Sequence, residues 1–136
     1  MAVDHTDEFG RAGRLRGREY LPSSKRVYLR LSCFTATDGG PLKLDREKAI
    51  QAFFEYTRTL GMFGQKYFFR QYPDRAYLTI TGSRRIEGQE YLVRIEQHFF
   101  PHMTVSLVSS NRQGDGGALD MVTAFFESFR VARLGS

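Results

Sequence analysis

The sequence predicts an α+β domain: a mostly antiparallel sheet with two amphipathic helices packed on it. Several short segments alternate polar and apolar residues, the period of a half-buried strand. Two longer segments, each containing Ala-Phe-Phe-Glu, repeat apolar residues at the spacing of one helix face. The elements follow one another approximately as β-α-β-β-β-β-α. Since such runs of strands favour a meander, we expect a two-layer sandwich with both helices on one face.

The bulk composition is that of an ordinary globular domain. A chain of 136 residues can bury about two-thirds of its unfolded surface. Its single cysteine, Cys33, cannot form an internal disulfide or build a zinc site alone. No apolar run approaches the roughly 20 residues that a membrane span needs, and the first residues lack the apolar core of a secretory signal. We therefore expect a cytoplasmic protein without a membrane span.

Positive charge is concentrated near the N-terminus. The net charge is +5, and residues 10–30 carry seven basic side chains against Glu19 alone. Residues 1–24 are rich in Gly, Arg and Asp and show no apolar periodicity, so we predict a flexible basic arm there and a single α+β domain over residues 25–136. A localised basic segment suggests an acidic partner: an acidic protein surface, a nucleic acid or an anionic membrane surface.

The first predicted strand and helix have clear signals. Residues 26–35 alternate, with Val27 and Leu29 on the same face as Cys33. Asp45 is a good N-cap for a helix over residues 46–60, and Gly61 is a natural C-terminal stop. The helix has one apolar face, formed by Ile50, Phe53, Phe54, Thr57 and Leu60.

Four more strands and a second helix complete the pattern. The strands are predicted at residues 65–72, 75–81, 90–99 and 103–108. Pro73-Asp74 is typical of a hairpin turn. Residues 82–88 read as a basic loop, and residues 109–117 as a polar loop. The last helix, over residues 118–130, has an apolar face formed by Leu119, Val122, Phe126 and Phe129.

No arrangement of residues predicts catalysis, a metal site or a cofactor. His98 and His102 flank a bend at Phe99-Phe100-Pro101, but a catalytic zinc normally needs three protein ligands, and Glu96 would join them only if the strand pairing is regular. Cys33 on an apolar strand face behaves as a small hydrophobic residue. Phosphate-binding glycine loops and nucleophile elbows are missing. We therefore predict a protein that is not an enzyme.

Residues 65–77 combine aromatic and basic side chains. Five aromatic residues alternate with Lys66, Arg70 and Arg75: Tyr67, Phe68, Phe69, Tyr72 and Tyr77. Rings beside cations are what single-stranded nucleic acids stack on. The strand–helix–strand–strand start also fits an RNA-recognition motif, but the RNP1 pattern is missing and no strand follows the last helix. Burial of these rings under the helices is the alternative interpretation.

The C-terminal third resembles a known fold. Two strands, Tyr91–Phe99 and Met103–Val108, lead through a polar loop into a last helix ending Phe125-Phe126-Glu127-Ser128-Phe129-Arg130. This ending is similar to the terminal helix of the PsbP/Mog/DcrB-like α/β fold. The resemblance implies a non-enzymatic binding or assembly module, as in photosystem accessory subunits and a Ran-binding protein. It supplies no catalytic residue.

These observations predict a non-enzymatic protein–protein interaction or assembly module that uses a basic N-terminal arm and an aromatic sheet face. The expected partner is a protein with an acidic surface, and the oligomeric state stays open. The predicted partner-binding residues are Arg11, Arg14, Arg16, Arg18, Lys66, Arg70, Tyr72, Arg84 and Arg85. One alternative is a domain that binds RNA or single-stranded DNA. A second is a small-ligand domain, for which His98, His102 and Tyr91 are the first residues to inspect.

Overall fold

The computed structural model describes residues 2–21, 27–37 and 41–134, with side chains in the last helix described as far as Phe129. The described chain contains seven strands and two helices: β1 (Val3–Thr6), β2 (Ala12–Tyr20), β3 (Val27–Ala36), α1 (Arg46–Thr59), β4 (Phe63–Tyr72), β5 (Arg75–Ile86), β6 (Gln89–Phe99), β7 (Met103–Arg112) and α2 (Gly116–Leu134). The sequence Thr37-Asp38-Gly39-Gly40-Pro41 is typical of a turn, but residues 38–40 lie outside the described part.

All seven strands form one antiparallel sheet in the order β1-β2-β3-β7-β6-β5-β4. The chain first builds the meander β1-β2-β3. It then crosses through α1 to the far edge and returns as the meander β4-β5-β6-β7, so that β7 closes against β3. The outermost strands of the described sheet are therefore the short β1 and the long β4.

The predicted element order was wrong, because two strands precede the first one that we expected. Residues 3–20, which the sequence assigned to the basic arm, form β1 and β2. Main-chain pairing holds them, since β2 pairs with β3 from Gly13–Ala36 to Tyr20–Leu29. Most side chains of β2 stay exposed, which explains why no apolar alternation marks the strand. The predicted boundary at residue 24 lies outside the described residues.

The two helices lie on opposite faces of the sheet, so the expected two-layer arrangement was also wrong. Ile95 of β6 pairs with Val108 of β7, and both belong to the core beneath α1. The neighbouring Leu107 points to the other side and belongs to the core beneath α2. We call these sides the α1 face and the α2 face. Each helix covers only part of its face.

Helix α1 forms as the sequence predicted. The Asp45 side chain accepts a hydrogen bond from the Lys48 amide at 3.1 Å, and Gly61 adopts a φ of 78° just after the helix. Ile50 and Phe53 pack onto Leu78 and Ile80 of β5. This core anchors α1 over the β4–β5–β6 half of the sheet.

Helix α2 packs on the β3–β7 half of the other face. Val122 and Phe126 are buried against β3 and β7, and Phe129 contacts the same core. Leu119 was predicted in this apolar face but is exposed, and Ala118 occupies the buried position instead. One of the two adjacent phenylalanines in each Ala-Phe-Phe-Glu segment, Phe53 or Phe126, is buried, which fits a packing role for both segments.

Strands β5 and β7 are longer than predicted. The expected basic loop at residues 82–88 is mostly strand, because β5 continues through Ile86 and turns at Glu87-Gly88. Arg84 and Arg85 therefore project from β5 on opposite faces instead of lying together in a loop. Strand β7 similarly extends to Arg112.

Candidate interaction site at the β4 edge

The strongest candidate site is the outer edge of the sheet at β4. This strand spans Phe63–Tyr72 and pairs on one side with β5; no other described strand lies beside it. Its outward main-chain N–H and C=O groups are open to a further strand. We call this strand, together with the flanking α2 face of β5, the β4 edge.

One row of side chains along β4 alternates between aromatic rings and cations. Phe63 pairs with Ser83, and Lys66 pairs with Thr81. Two residues of β4, Gly64 and Gln65, therefore lie opposite Gly82 of β5, and Gly64 in this bulge has a φ of 64°. The bulge brings Phe63 and Lys66 onto the same face. The row on the α2 face consists of Phe63, Lys66, Phe68, Arg70 and Tyr72.

Cations from β4 and β5 lie over two of these rings. The guanidinium carbons of Arg70 and Arg75 lie 5.2 Å and 4.6 Å from the ring centre of Tyr72. Arg85 lies 5.8 Å from the ring centre of Phe63. These contacts hold the basic groups against the sheet, where they form part of a fixed surface.

Phe68 is the most exposed aromatic residue of the row, at 55%, and Phe63 is 43% exposed. The ring of Phe68 packs edge-on against Tyr77 of β5, with the ring centres 6.2 Å apart. Phe68 therefore presents apolar surface from a supported position, as an anchor residue of an interface does.

The β4 edge is positively charged. Its cations are Lys66, Arg70, Arg75 and Arg85. Three carboxylates lie nearby on this face. Asp74 is 3.8 Å from Arg75, Glu90 is the register partner of Arg85 on β6, and the buried Glu96 forms an ion pair with Arg94. Lys66 and Arg70 lie away from Asp74 and Glu90 along the strand, so the exposed centre of the edge is positively charged.

The predicted basic residues divide between the two ends of the sheet. Lys66, Arg70 and Tyr72 lie on β4, and Arg84 and Arg85 on the neighbouring β5. The N-terminal arginines lie at the opposite edge, because β1 and β2 occupy it. Six strand spacings, or roughly 29 Å, separate the two edges. The structure therefore brings four of the predicted residues together on the α2 face of the β4 edge: Lys66, Arg70, Tyr72 and Arg85. Arg84 lies beside them on β5 but projects from the α1 face, and the four N-terminal arginines lie elsewhere.

The four N-terminal arginines have different surroundings. Arg11 is largely buried; it bonds Asp7 at 2.8 Å and the carbonyl oxygen of Pro101 at 3.0 Å. Arg14 pairs with Asp4 at 2.8 Å. Arg16 and Arg18 are exposed on β2, beyond the four residues that β1 covers.

The inspected histidines do not form a reaction centre. His98 is buried, with Nε2 3.2 Å from the carboxylate of Glu96, and its ring packs between Tyr77 and Phe129. His102 is exposed in the β6–β7 turn. Tyr91 points to the α1 face, away from His98. Among the described residues no group of three His, Cys, Asp or Glu side chains could hold a metal ion.

Sequence reasoning missed Phe63, because it started the strand at Gln65. The bulge at Gly64 interrupts the period of two, and Phe63 cannot be assigned to a face from spacing alone. The available signal was the glycine itself, since an isolated Gly in a strand often marks a bulge.

No helix in the described part of the chain is long and apolar enough to cross a membrane. Comparisons of the chain with protein-family models, with curated proteins and with solved structures find no match.

Proposed function

We propose that this chain is a non-catalytic protein-interaction module whose β4 edge accepts an extended, acidic segment of a partner protein as an additional strand. One observation carries the proposal: a long strand at the rim of the sheet combines open main-chain groups with a row of aromatic and basic side chains. Strand addition draws affinity from main-chain hydrogen bonds and specificity from alternating side chains.

The side chains of β4 specify the kind of segment. Lys66 and Arg70 favour carboxylates at the two positions opposite them, which lie four residues apart on the added strand. Phe68 lies between them and favours an apolar neighbour. A partner segment that alternates acidic residues on the α2 face, with an apolar residue opposite Phe68, would satisfy all three side chains.

Binding of single-stranded nucleic acid is the alternative use of the same surface. It is less well supported, because base stacking needs open ring faces. Arginines already lie against two rings of the row, with Arg70 and Arg75 on Tyr72 and Arg85 on Phe63. Phe68 is the ring of the row with the most exposed surface. An open strand edge also contributes nothing to stacking, whereas it is the main requirement for strand addition.

Two further parts of the proposal rest on sequence. The resemblance of the C-terminal third to the PsbP/Mog/DcrB-like fold supports a binding or assembly role over an enzymatic one. We also place the protein in the cytoplasm, where a single unpaired cysteine is common. The exposed Arg16 and Arg18 on β2 would extend the interaction only for a partner large enough to reach both edges.

Fluorescence anisotropy with synthetic peptides tests the proposal. The probe is a labelled peptide as long as β4 that repeats Glu-Thr-Val-Thr, so that Glu and Val take turns on one face; its control replaces every Glu with Lys. Two further acidic peptides are N-methylated at alternate residues, one set on each edge of the extended chain. We expect the acidic peptide to bind, the basic one not to bind, and only one methylated peptide to lose binding.

Two results would count against the proposal. Equal binding of the two methylated peptides would contradict strand addition, because methylation removes main-chain donors from one edge only. Binding of an oligothymidine strand with a steep salt dependence, without peptide binding, would favour the nucleic-acid alternative.

A further inference from the structure

The α1 face contains a groove beside the C-terminal end of α1. This groove and the β4 edge row lie on opposite faces of the sheet. The volume of the groove is about 330 Å³, within the usual range for a small-molecule site. The groove lies over the part of β3, β7 and β6 that α1 leaves uncovered. Its lining is chiefly apolar and aromatic: Tyr28, Tyr56, Leu60, Met62, Ile86, Val93 and Val108, with Ser110.

Two arginines stand at opposite sides of this groove. Arg30 projects from β3 and Arg84 from β5, and three strand spacings, roughly 14 Å, separate their strands. Arg30 forms a long ion pair with Glu19, whose Oε1 atom lies 4.0 Å from Nε of Arg30. Arg84 has no ion-pair partner among the described residues. The groove thus combines an apolar floor with one cation, Arg84, that has no described ion-pair partner at the β5 side.

The carboxylate of Glu19 lies at the Arg30 side of this groove and already has partners there. The hydroxyl of Tyr28 donates a hydrogen bond to Glu19 at 2.8 Å. Together with Arg30, this bond keeps the negative charge at the β2–β3 side. An anion that enters from the β5 side would meet Arg84 first.

We propose that the groove binds a small amphiphilic carboxylate, with its carboxylate on Arg84 and its apolar body across Val93 and Val108 towards Leu60. A guanidinium pairs with a carboxylate through two parallel N–H···O bonds, which orients the ligand. Binding of such a small molecule goes beyond the proposed partner interaction and uses a different face of the sheet.

The charge and the shape together select this ligand class. A neutral apolar molecule would gain the floor contacts but not the ion pair, and an amine would place its charge beside Arg84. The lining offers few other polar groups, of which Ser110 and the two tyrosines are the principal ones. The ligand should therefore be apolar apart from its head group.

The test is a titration of isotope-labelled protein, followed by amide chemical shifts, with decanoate below its micelle concentration. Decanol and decylamine serve as neutral and cationic controls of equal chain length. We expect decanoate to shift the amides of Val93, Val108 and Ser110. Its affinity should fall about fivefold in Arg84→Gln, the loss of roughly 1 kcal/mol expected for a partly exposed ion pair.

Arg85→Gln is the matched control, because Arg85 is the next residue on β5 but projects from the α2 face. It should bind decanoate like the unmodified protein. Ser110→Leu should reduce binding by filling the groove, and a thermal melt would show that this variant is folded. Equal binding of decanoate and decylamine, unchanged affinity in Arg84→Gln, or shifts confined to other regions would overturn the proposal.

Discussion

The Nη2 atom of Arg94 donates a 2.5 Å hydrogen bond to Oε2 of Glu96, one of the most deeply buried polar residues of the described sheet. Only 1% of the Glu96 side chain is exposed. The guanidinium carbon of Arg94 also lies 4.2 Å from the ring centre of Phe126 on α2. The pair therefore compensates a buried charge and joins the sheet to the helix above it.

Glu96→Ala should destabilise the fold by about 3 kcal/mol, because it leaves Arg94 without its carboxylate beneath α2. The Nε atom of Arg94 is already buried without a hydrogen-bond partner, and the substitution would remove the partner of Nη2 as well. Urea unfolding measures the change. Glu55→Ala on the exposed side of α1 is the control and should stay within about 0.5 kcal/mol. Similar stabilities of the two variants would show that the buried pair contributes little.

The sequence predicted those elements whose signals are local. Asp45 and Gly61 mark the ends of α1. Alternation identified β3 because its buried residues recur at every second position, with Val27 and Leu29 on one face and Ser32 and Phe34 on the other. The side of the sheet that α2 occupies has no such signal. An amphipathic helix requires an apolar surface, and both faces of β7 supply one, through Leu107 and Val108.

Strand β2 shows why exposed strands escape sequence reasoning. Its one fully buried residue is Gly13, which has no side chain to reveal the burial. A Cβ on Gly13 would overlap the carbonyl oxygen of Thr35 and lie 2.7 Å from ring atoms of Phe34. The close approach of β2 to β3 thus depends on glycine.

Gly13→Ala should therefore destabilise the protein by about 1–3 kcal/mol, as overpacking does, and should weaken the β2–β3 pairing first. Gly17→Ala is the matched control on the same strand, where the nearest atom to an added Cβ is Ser32 Oγ at 3.5 Å. It should change stability by less than about 0.5 kcal/mol. Amide exchange along β2 measures both effects. Unchanged protection in Gly13→Ala would contradict the observed packing of residues 3–20.

Tyr28 predicts a dependence of stability on high pH. Burial, followed by its hydrogen bond to Glu19, raises the pKa of Tyr28 from 10.0 to about 12. The folded state therefore holds the phenolic proton more tightly than the unfolded state. This contribution to stability is complete below pH 10 and is lost as the pH rises from about 10 to about 12.

Urea unfolding at increasing pH, compared between the unmodified protein and Tyr28→Phe, measures that contribution. The free energy of unfolding should fall more steeply with pH in the unmodified protein across this window. Parallel curves would mean that the phenol titrates alike in both states. The comparison between variants is necessary because other tyrosines and lysines titrate in the same range.

The candidate site could be predicted in part. Aromatic and basic residues at 66–72 indicated a strand that binds a partner. Which of these side chains share a face depends on the register of β4 with β5. The bulge at Gly64 sets that register and brings in Phe63. The position of β4 at the rim of the sheet depends on the long crossover through α1, which local patterns do not specify.

Charge reversal at each edge should distinguish the two basic regions. Arg70→Glu should reduce the affinity for the acidic peptide about tenfold, since it replaces an attraction of roughly 1 kcal/mol with a repulsion. Arg16→Glu changes the charge equally at the opposite edge and should leave the affinity within about twofold. Anisotropy titrations measure both values. A larger effect of Arg16→Glu would place the partner site on β2.

Amide hydrogen exchange of β4 with and without the acidic peptide tests the central claim most directly. The inward amides of β4 already pair with β5, whereas the alternate, outward amides face solvent. Strand addition predicts that only the outward amides between Phe63 and Tyr72 slow on peptide binding, while those of β1 and β2 stay unchanged. Unaltered exchange along β4 at saturating peptide, or slowing confined to β2, would contradict it.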